Sequence, residues 1–300
     1  MAAAPINPSD LGFLKGSYGY QKPFPLVPGF EGSGTVVAAG PGLLPRFLVG
    51  QRVASSAPSG GTWAEYLVTS AGGCFPLGRN LSFEQGATLL VNPMTALAFF
   101  TLAKSGKHAA IVSNAAASAL GRMILGLGRT DHIPVIHLVR RRQQVELLRS
   151  LGAEYVLDSS TPEFTAQLGA LSGQLQATLL LDPVGERTTQ YLDAMPENSL
   201  ALVYGSLAGP AGAASSQTPG QNDRRLSGFF LPDWIARRNL LQLLIDVRRV
   251  QQLAAGELRT TIQRRFPLAQ MSQALELYQA NPTAGKVLLV ADPEKISLDH

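Results

Sequence analysis

The chain has 300 residues, 45% of them hydrophobic and 15% charged, with a net charge of +4 and an isoelectric point of about 9.3. That balance excludes a disordered chain, and the absence of any basic run beyond Arg140–Arg142 excludes the electrostatic footprint of a nucleic-acid binder. A single cysteine, Cys74, excludes an intrachain disulfide and a zinc site built on several cysteines.

The N-terminal part is rich in Gly and Pro. Short β-type runs, Gly34–Ala38, Gln51–Ala54 and Trp63–Val68, alternate there with turn clusters such as Pro41-Gly42 and Pro58-Ser59-Gly60-Gly61. This pattern predicts a small, irregular all-β domain. The pattern then changes. Ser82–Leu90 and Pro93–Lys104 read as helices, and Ser82 with Gln85 makes a capping-box start. Strands and helices alternate from residue 109: strand Ala109–Ser113, helix Ala119–Leu127, strand Pro134–Val139, and helix Gln143–Leu151 ending at Gly152. Strands Tyr155–Leu157, Thr178–Leu181 and Leu200–Tyr204 follow. Buried apolar strands alternating with helices predict an α/β fold with a parallel sheet covered on both faces. Gly209–Arg225 is polar and small, and is expected to be the mobile loop. Helix Met271–Ala280 and strand Lys286–Ala291 close the chain.

Two segments carry chemistry. Strand Ala109–Ser113 runs into Asn114-Ala-Ala-Ala-Ser118-Ala-Leu-Gly121-Arg122, where a dinucleotide fold places its glycine-rich turn. Small residues there let backbone approach a pyrophosphate at the N-terminus of the next helix, but only Gly121 remains of the usual glycines. Tight helix–strand packing explains the segment equally well. The second strand discriminates between cofactors. An NAD site has an acidic residue at its end; this one continues Arg140-Arg141-Arg142, and no carboxylate is expected beside them to repel a phosphate. Guanidinium groups pair bidentately with phosphate, which favours NADPH; a solvated basic turn is the alternative. No G-x-S-x-G, H-E-x-x-H or Walker loop is present, and His108, His132, His137 and His300 have no ligand-spaced neighbours.

With these segments placed, further motifs line up. They are Ile6-Asn7-Pro8-Ser9-Asp10, Gly16-Ser-Tyr18-Gly19, Pro28-Gly29-Phe30-Glu31-Gly32 and Val91-Asn92-Pro93-Met-Thr95-Ala96. Later come Leu151-Gly152-Ala153, Pro183-Val184-Gly185, Val203-Tyr204-Gly205 and Gly228-Phe-Phe230-Leu-Pro-Asp-Trp234. In order and spacing the chain resembles the zinc-independent branch of the medium-chain dehydrogenase/reductase superfamily, the quinone oxidoreductases and 2-enoyl thioester reductases. The resemblance implies a GroES-like β domain built from both chain ends, residues 1–88 and 266–300, flanking a Rossmann NADP-binding domain, residues 89–265. Zinc-dependent members carry a cysteine near Asn7–Asp10 and a histidine before the glutamate. Here those places hold Asn-Pro-Ser-Asp and Phe30, so no metal is expected.

The resemblance also implies roles. Tyr18 would stand beside the substrate as a hydroxyl donor to the charge that builds on oxygen, and a free tyrosine, with a pKa of about 10, is protonated at neutral pH. A tyrosine packing under the loop is the alternative. Asn7 and Asn92 would place amides near the nicotinamide, with Thr95 beside them, although asparagine before proline is also a plain structural choice. Ala117, Ser118, Ala119 and Leu120 would offer backbone to the pyrophosphate, and Arg140 and Arg142 would hold the 2′-phosphate. Tyr204, Gly205 and Ser206 would line the nicotinamide side. Phe229, Phe230 and Leu231 match a segment that touches cofactor, with core packing as the stronger alternative. Lys286 matches a late lysine that reaches cofactor phosphates, or is a solvated strand-end lysine, and Glu31 can be a purely structural carboxylate.

The expected activity is therefore NADPH-dependent hydride transfer to an activated C=C or quinone: an α,β-unsaturated carbonyl, enoyl thioester or quinone. The alternative is a nucleotide-binding sensor or RNA-binding relative without turnover. Two departures motivate that alternative: the glycine-poor turn, and a start at Ala4-Pro5-Ile6-Asn7-Pro8 where family members carry a further β-rich segment. A homodimer is expected through edge strands, with Leu226–Leu231 apolar enough to pair. No apolar stretch reaches the roughly 18 residues of a membrane span, and Met1–Pro5 lacks signal-peptide blocks, so a cytoplasmic setting is expected.

Overall fold

The structure, a computed structural model, describes residues 1–17, 25–205, 218–219, 223–281 and 283–291. In chain order the elements are β1 (Ala3–Pro5), α1 (Pro8–Leu14), β2 (Glu31–Thr35), α2 (Leu43–Leu48), β3 (Arg52–Ser56), β4 (Cys74–Pro76), α3 (Phe83–Ala87) and α4 (Asn92–Ser105). Next come β5 (Ala110–Ser113), α5 (Ala119–Thr130), β6 (Val135–Val139), α6 (Arg142–Ser150), β7 (Tyr155–Asp158), α7 (Phe164–Leu175), β8 (Ala177–Asp182), α8 (Thr188–Asp193) and β9 (Leu200–Val203). The rest are β10 (Thr218–Pro219), β11 (Arg225–Gly228), α9 (Leu231–Ala236), α10 (Leu240–Leu253), β12 (Ile262–Pro267), α11 (Met271–Ala280) and β13 (Lys286–Val290). Two compact units result: Met1–Met94 with Arg238–His300, and Thr95–Arg237. The sequence reading draws the junctions at 88/89 and 265/266, whereas the contacts join α10 to the first unit, where Gln251 Nε2 donates to the Pro76 carbonyl at 3.0 Å.

The first unit holds a sheet of order β12-β13-β1-β2-β3-β4 among the described residues. Its middle is sewn from both chain ends, since Ala3, Ala4 and Pro5 pair antiparallel with Val290, Leu289 and Leu288. Strand β2 lies three residues ahead of the expected Gly34–Ala38, because its ladder to β3 runs from Glu31↔Ser56 to Thr35↔Arg52. Trp63–Val68 forms no strand. Trp63 is buried and its indole Nε1 donates to the Pro5 carbonyl at 3.1 Å, while Tyr66 and Val68 are exposed. The expected capping box is present: the Gln85 amide donates to Ser82 Oγ at 3.2 Å and the Ser82 amide to Gln85 Oε1 at 2.9 Å.

In the second unit the sheet order is β10-β11-β9-β8-β5-β6-β7. Every pairing from β11 to β7 is parallel. Read from β7, the chain-order sequence is 3-2-1-4-5-6, the Rossmann order, which reverses direction between β5 and β8. Strands β5 and β6 are buried at every position, as continuous apolar runs require when helices cover both faces. Ile111, Val112, Ile136, Leu138, Leu179 and Leu180 are fully buried, each worth about 2 kcal/mol of apolar burial. Helix α6 stops where expected: the Gly152 amide donates to Arg149 O and the Ala153 amide to Leu148 O, both at 2.9 Å, the paired bonds of a Schellman cap.

Most of the segment Gly209–Arg225 lies outside the described residues; within it, Thr218–Pro219 form β10, antiparallel to β11. Within the segment Leu226–Leu231, Leu226 pairs with Thr218 on one side and Ala201 on the other.

Candidate functional site

In the second unit the C-terminal ends of β5, β6, β8 and β9 bring the sequence-picked residues together at the reversal of strand order. Asn114, just past β5, donates from Nδ2 to Asp182 Oδ1 at 2.8 Å, and its Oδ1 accepts the Ala115 amide at 2.8 Å. Asp182, fully buried at the end of β8, also accepts the Val184 amide at 2.9 Å and the Thr188 hydroxyl. Three donors satisfy a carboxylate that would otherwise be costly to bury. Neither Asn114 nor Asp182 is found by sequence reasoning. Asp182 immediately precedes the Pro183-Val184-Gly185 motif, which was the available signal.

The turn after β5 is shaped by this clamp. Ala115 takes a left-handed conformation with φ of 50°, and Ala116 and Ala117 are buried. Ser118 caps α5, its Oγ accepting the Gly121 amide at 3.1 Å. That leaves the first-turn amides of Ala119 and Leu120 outside the helical ladder, as at any helix N-terminus. The helix crosses the turn so closely that a Cβ on Gly121 would lie 2.3 Å from the Ala116 carbonyl oxygen. The one glycine the segment retains is thus the one its packing requires. Ala116 and Ala117 pack into the apolar cluster of Leu125, Val139 and Leu148.

Arg140 follows β6 directly and Arg142 opens α6. Both are exposed, and here the sequence reading needs correction, because each guanidinium has a carboxylate partner. Arg140 Nη2 lies 3.4 Å from Glu186 Oε2, and Arg142 Nε 3.3 Å from Glu146 Oε1. Glu186 is distant in sequence, which hid it. Exposed pairs of this kind contribute about 0–1 kcal/mol, so a phosphate can displace them.

Past β9, the Tyr204 amide donates to the Asp182 carbonyl at 3.1 Å. Burial, and then the Asp182 charge, push the Tyr204 phenol far above its ordinary range, so it stays protonated. Gly205 is another compulsory glycine, since a Cβ there would lie 2.5 Å from the Pro183 carbonyl oxygen. The Tyr204 and Phe229 rings each stand 4.8 Å from the buried Phe99 ring, and Phe229 itself is half-buried. Phe230 and Leu231 begin α9. Tyr18 and Ser206 lie outside the described residues.

The first unit holds Asn7, Lys286 and Asn92. Lys286 is 3% exposed, neither a solvated strand end nor turned outward. Its ammonium donates to Asn7 Oδ1 and, at 3.5 Å, to the Ile6 carbonyl. Asn7 Nδ2 donates to Glu31 Oε1 at 2.9 Å, and Glu31 Oε2 accepts the amides of Leu90 and Val91, both at 2.9 Å. Asp10 accepts the amides of Asn7 at 2.7 Å and Phe30 at 3.1 Å. Burial raises the Glu31 carboxyl, pushes Asp10 up to about 7 and lowers Lys286, whose ammonium partly offsets both carboxylate shifts. Glu31 therefore anchors the backbone immediately before Asn92, which opens α4 with Thr95 one turn later. No group of three or more His, Cys, Asp or Glu among the described residues is placed to hold a metal ion. None of the described helices is long and apolar enough to cross a membrane.

Comparison with known proteins agrees with this architecture. Residues 1–79 match the alcohol dehydrogenase GroES-like domain family and residues 151–289 the zinc-binding dehydrogenase family. A mitochondrial enoyl-[acyl-carrier-protein] reductase of Arabidopsis thaliana is 32% identical over 83% of this chain and 69% of its own length. Its Homo sapiens counterpart is 30% identical over 85% of this chain and 71% of that protein. Among solved structures, a Mesorhizobium loti protein assigned as an NADPH:quinone reductase superposes with a TM-score of 0.84 at 34% identity, covering 96% of this chain and 85% of that one. The chain belongs to the medium-chain dehydrogenase/reductase superfamily, in the branch that holds enoyl reductases and quinone reductases.

Proposed function

We propose that the chain is an NADPH-dependent reductase of an activated C=C or quinone, acting without zinc. The observation that carries this reading is the strand-end constellation of the second unit: a turn closed on Gly121, the Ser118-capped start of α5, and Arg140 and Arg142 past β6. Kinship with enoyl and NADPH:quinone reductases supports it. The turn fits a dinucleotide because Gly121 lets α5 start tight against the end of β5, with the Ala119 and Leu120 amides left outside the helical ladder. When bound, NADPH supplies a hydride to the electrophilic carbon of the substrate, leaving negative charge on its conjugated oxygen.

In this reading the backbone of Ala117, Ser118, Ala119 and Leu120 holds the pyrophosphate at the α5 N-terminus. Arg140 and Arg142 hold the 2′-phosphate. Tyr204, Gly205, Ser206, Phe229, Phe230 and Leu231 border the nicotinamide end, and Thr95 contributes from α4. Asn92, aimed by Glu31, offers an amide to the developing oxyanion, and Tyr18 donates a proton or hydrogen bond to it. Asn7 and Lys286 act from inside as positioning residues, through Glu31. The unit of Met1–Met94 with Arg238–His300 serves as the substrate domain and Thr95–Arg237 as the cofactor domain. The protein works as a homodimer in a reducing, cytoplasmic setting, which its single cysteine suits.

Fluorescence titration with NADPH and NADH side by side tests the cofactor half. Tighter NADPH binding, lost in an Arg140→Ala, Arg142→Ala double variant, is the expected result. NADPH oxidation with a panel of enones, enoyl thioesters and quinones tests the reaction. Binding without turnover on any of them overturns the enzyme reading, and a monomeric mass in solution overturns the dimer.

A further inference from the structure

The contact between Arg140 and Glu186 is unusual in where it lies. Arg140 is the first residue after β6 and Glu186 the fourth after β8. Strand β5 runs between those two strands, so the residues come from strands about 10 Å apart, two inter-strand spacings. Their side chains nevertheless meet at 3.4 Å, on the carboxyl side of the sheet. That is the reversal point of the sheet, where ligands of open α/β folds lie. Glu146 is different: it is a local helix neighbour of Arg142, four residues on, with side chains 65% and 91% exposed. Glu186 is the carboxylate that reaches Arg140 from the far side of β5, on a side chain 54% exposed against 55% for Arg140.

We infer that Glu186 is a specificity-determining residue that competes with the cofactor 2′-phosphate for the Arg140 guanidinium. The inference rests on the NADPH reading above. A phosphate and a carboxylate cannot share one guanidinium without repulsion, so NADPH takes Arg140 only by displacing Glu186. A cofactor without the phosphate has no such partner to gain. Glu186 therefore acts as the repulsive half of cofactor choice, holding the preference for NADPH below what two arginines alone would produce.

The test compares dissociation constants of NADPH and NADH for the wild type, Glu186→Gln, Arg140→Ala and the double variant. Glutamine keeps size and polarity and removes the charge, and position 186 is exposed, so folding is unaffected. The ratio of NADPH to NADH affinity is expected to rise about two- to fivefold in Glu186→Gln, the span of a surface ion pair. In the Arg140→Ala background the same substitution should leave the ratio unchanged. An equal change for both cofactors, no change, or an undiminished gain without Arg140 overturns the inference while the cofactor reading stands. Failure of the wild type to bind either cofactor overturns the cofactor reading and the inference with it.

Discussion

Asn114 and Asp182 join the carboxyl ends of β5 and β8 by a buried 2.8 Å hydrogen bond, across the point where strand order reverses. The same Asn114 side chain accepts the Ala115 amide and so sets the left-handed entry to the turn. Asn114→Ala removes both contacts and leaves Asp182 short of a donor. The expected cost is about 1–3 kcal/mol, read from urea unfolding, with weakened NADPH binding. An unchanged midpoint would mean the strand ends hold without the bond.

Gly121→Ala places a methyl 2.3 Å from the Ala116 carbonyl oxygen, and backbone, unlike a flexible side chain, cannot step aside. Overpacking of this kind costs about 1–3 kcal/mol, and the shift needed falls on the turn itself. NADPH affinity should drop about tenfold, measured by the same fluorescence titration. Full retention of affinity would show that the turn does not touch the cofactor.

Lys286→Met strips the buried carboxylates Asp10 and Glu31 of their counter-charge. Breaking a buried ionic network from one side costs about 3–5 kcal/mol. The folded pKa of Asp10 is already raised to about 7 from 3.8. The native state thus takes up its proton first, and this group's contribution to stability rises as pH falls from 7 towards 4. The variant should be weakest above pH 7 and recover part of its deficit in mild acid. A deficit independent of pH would locate the loss in packing instead, and Lys286→Met combined with Glu31→Gln should be milder than the single change.

His137 is buried in β6 between Ser113 of β5 and Val156 of β7, and burial alone depresses its pKa to about 4 from 6.5. On acidification the unfolded chain binds this proton first, so the native state loses stability between pH 6.5 and about 4. The full loss is on the order of 3 kcal/mol. His137→Phe should abolish that part of the acid sensitivity, seen as a flatter dependence of the unfolding midpoint on pH. An unchanged slope would assign the sensitivity elsewhere.

Much of the architecture is legible in local patterns. Continuous apolar runs mark β5, β6 and β8, the Ser82–Gln85 box marks α3, and Gly152 marks the end of α6, because each depends on neighbours a few residues away. Helix α10 and strand β12 escape the sequence reading, and Trp63–Val68 misleads it. An alternating run becomes a strand only where a partner pairs with it, and Trp63 spends its indole on the Pro5 carbonyl instead. The site divides in the same way. The chain's own order of residues puts Gly121 and Ser118 at the start of a helix and Arg140 past a strand. Long-range packing alone brings Glu186 to Arg140, Asp182 to Asn114 and Lys286 to Asn7, over separations of 46, 68 and 279 residues. Charge and hydrogen-bond partners at that distance are chosen by strand order and burial, which no local spacing encodes.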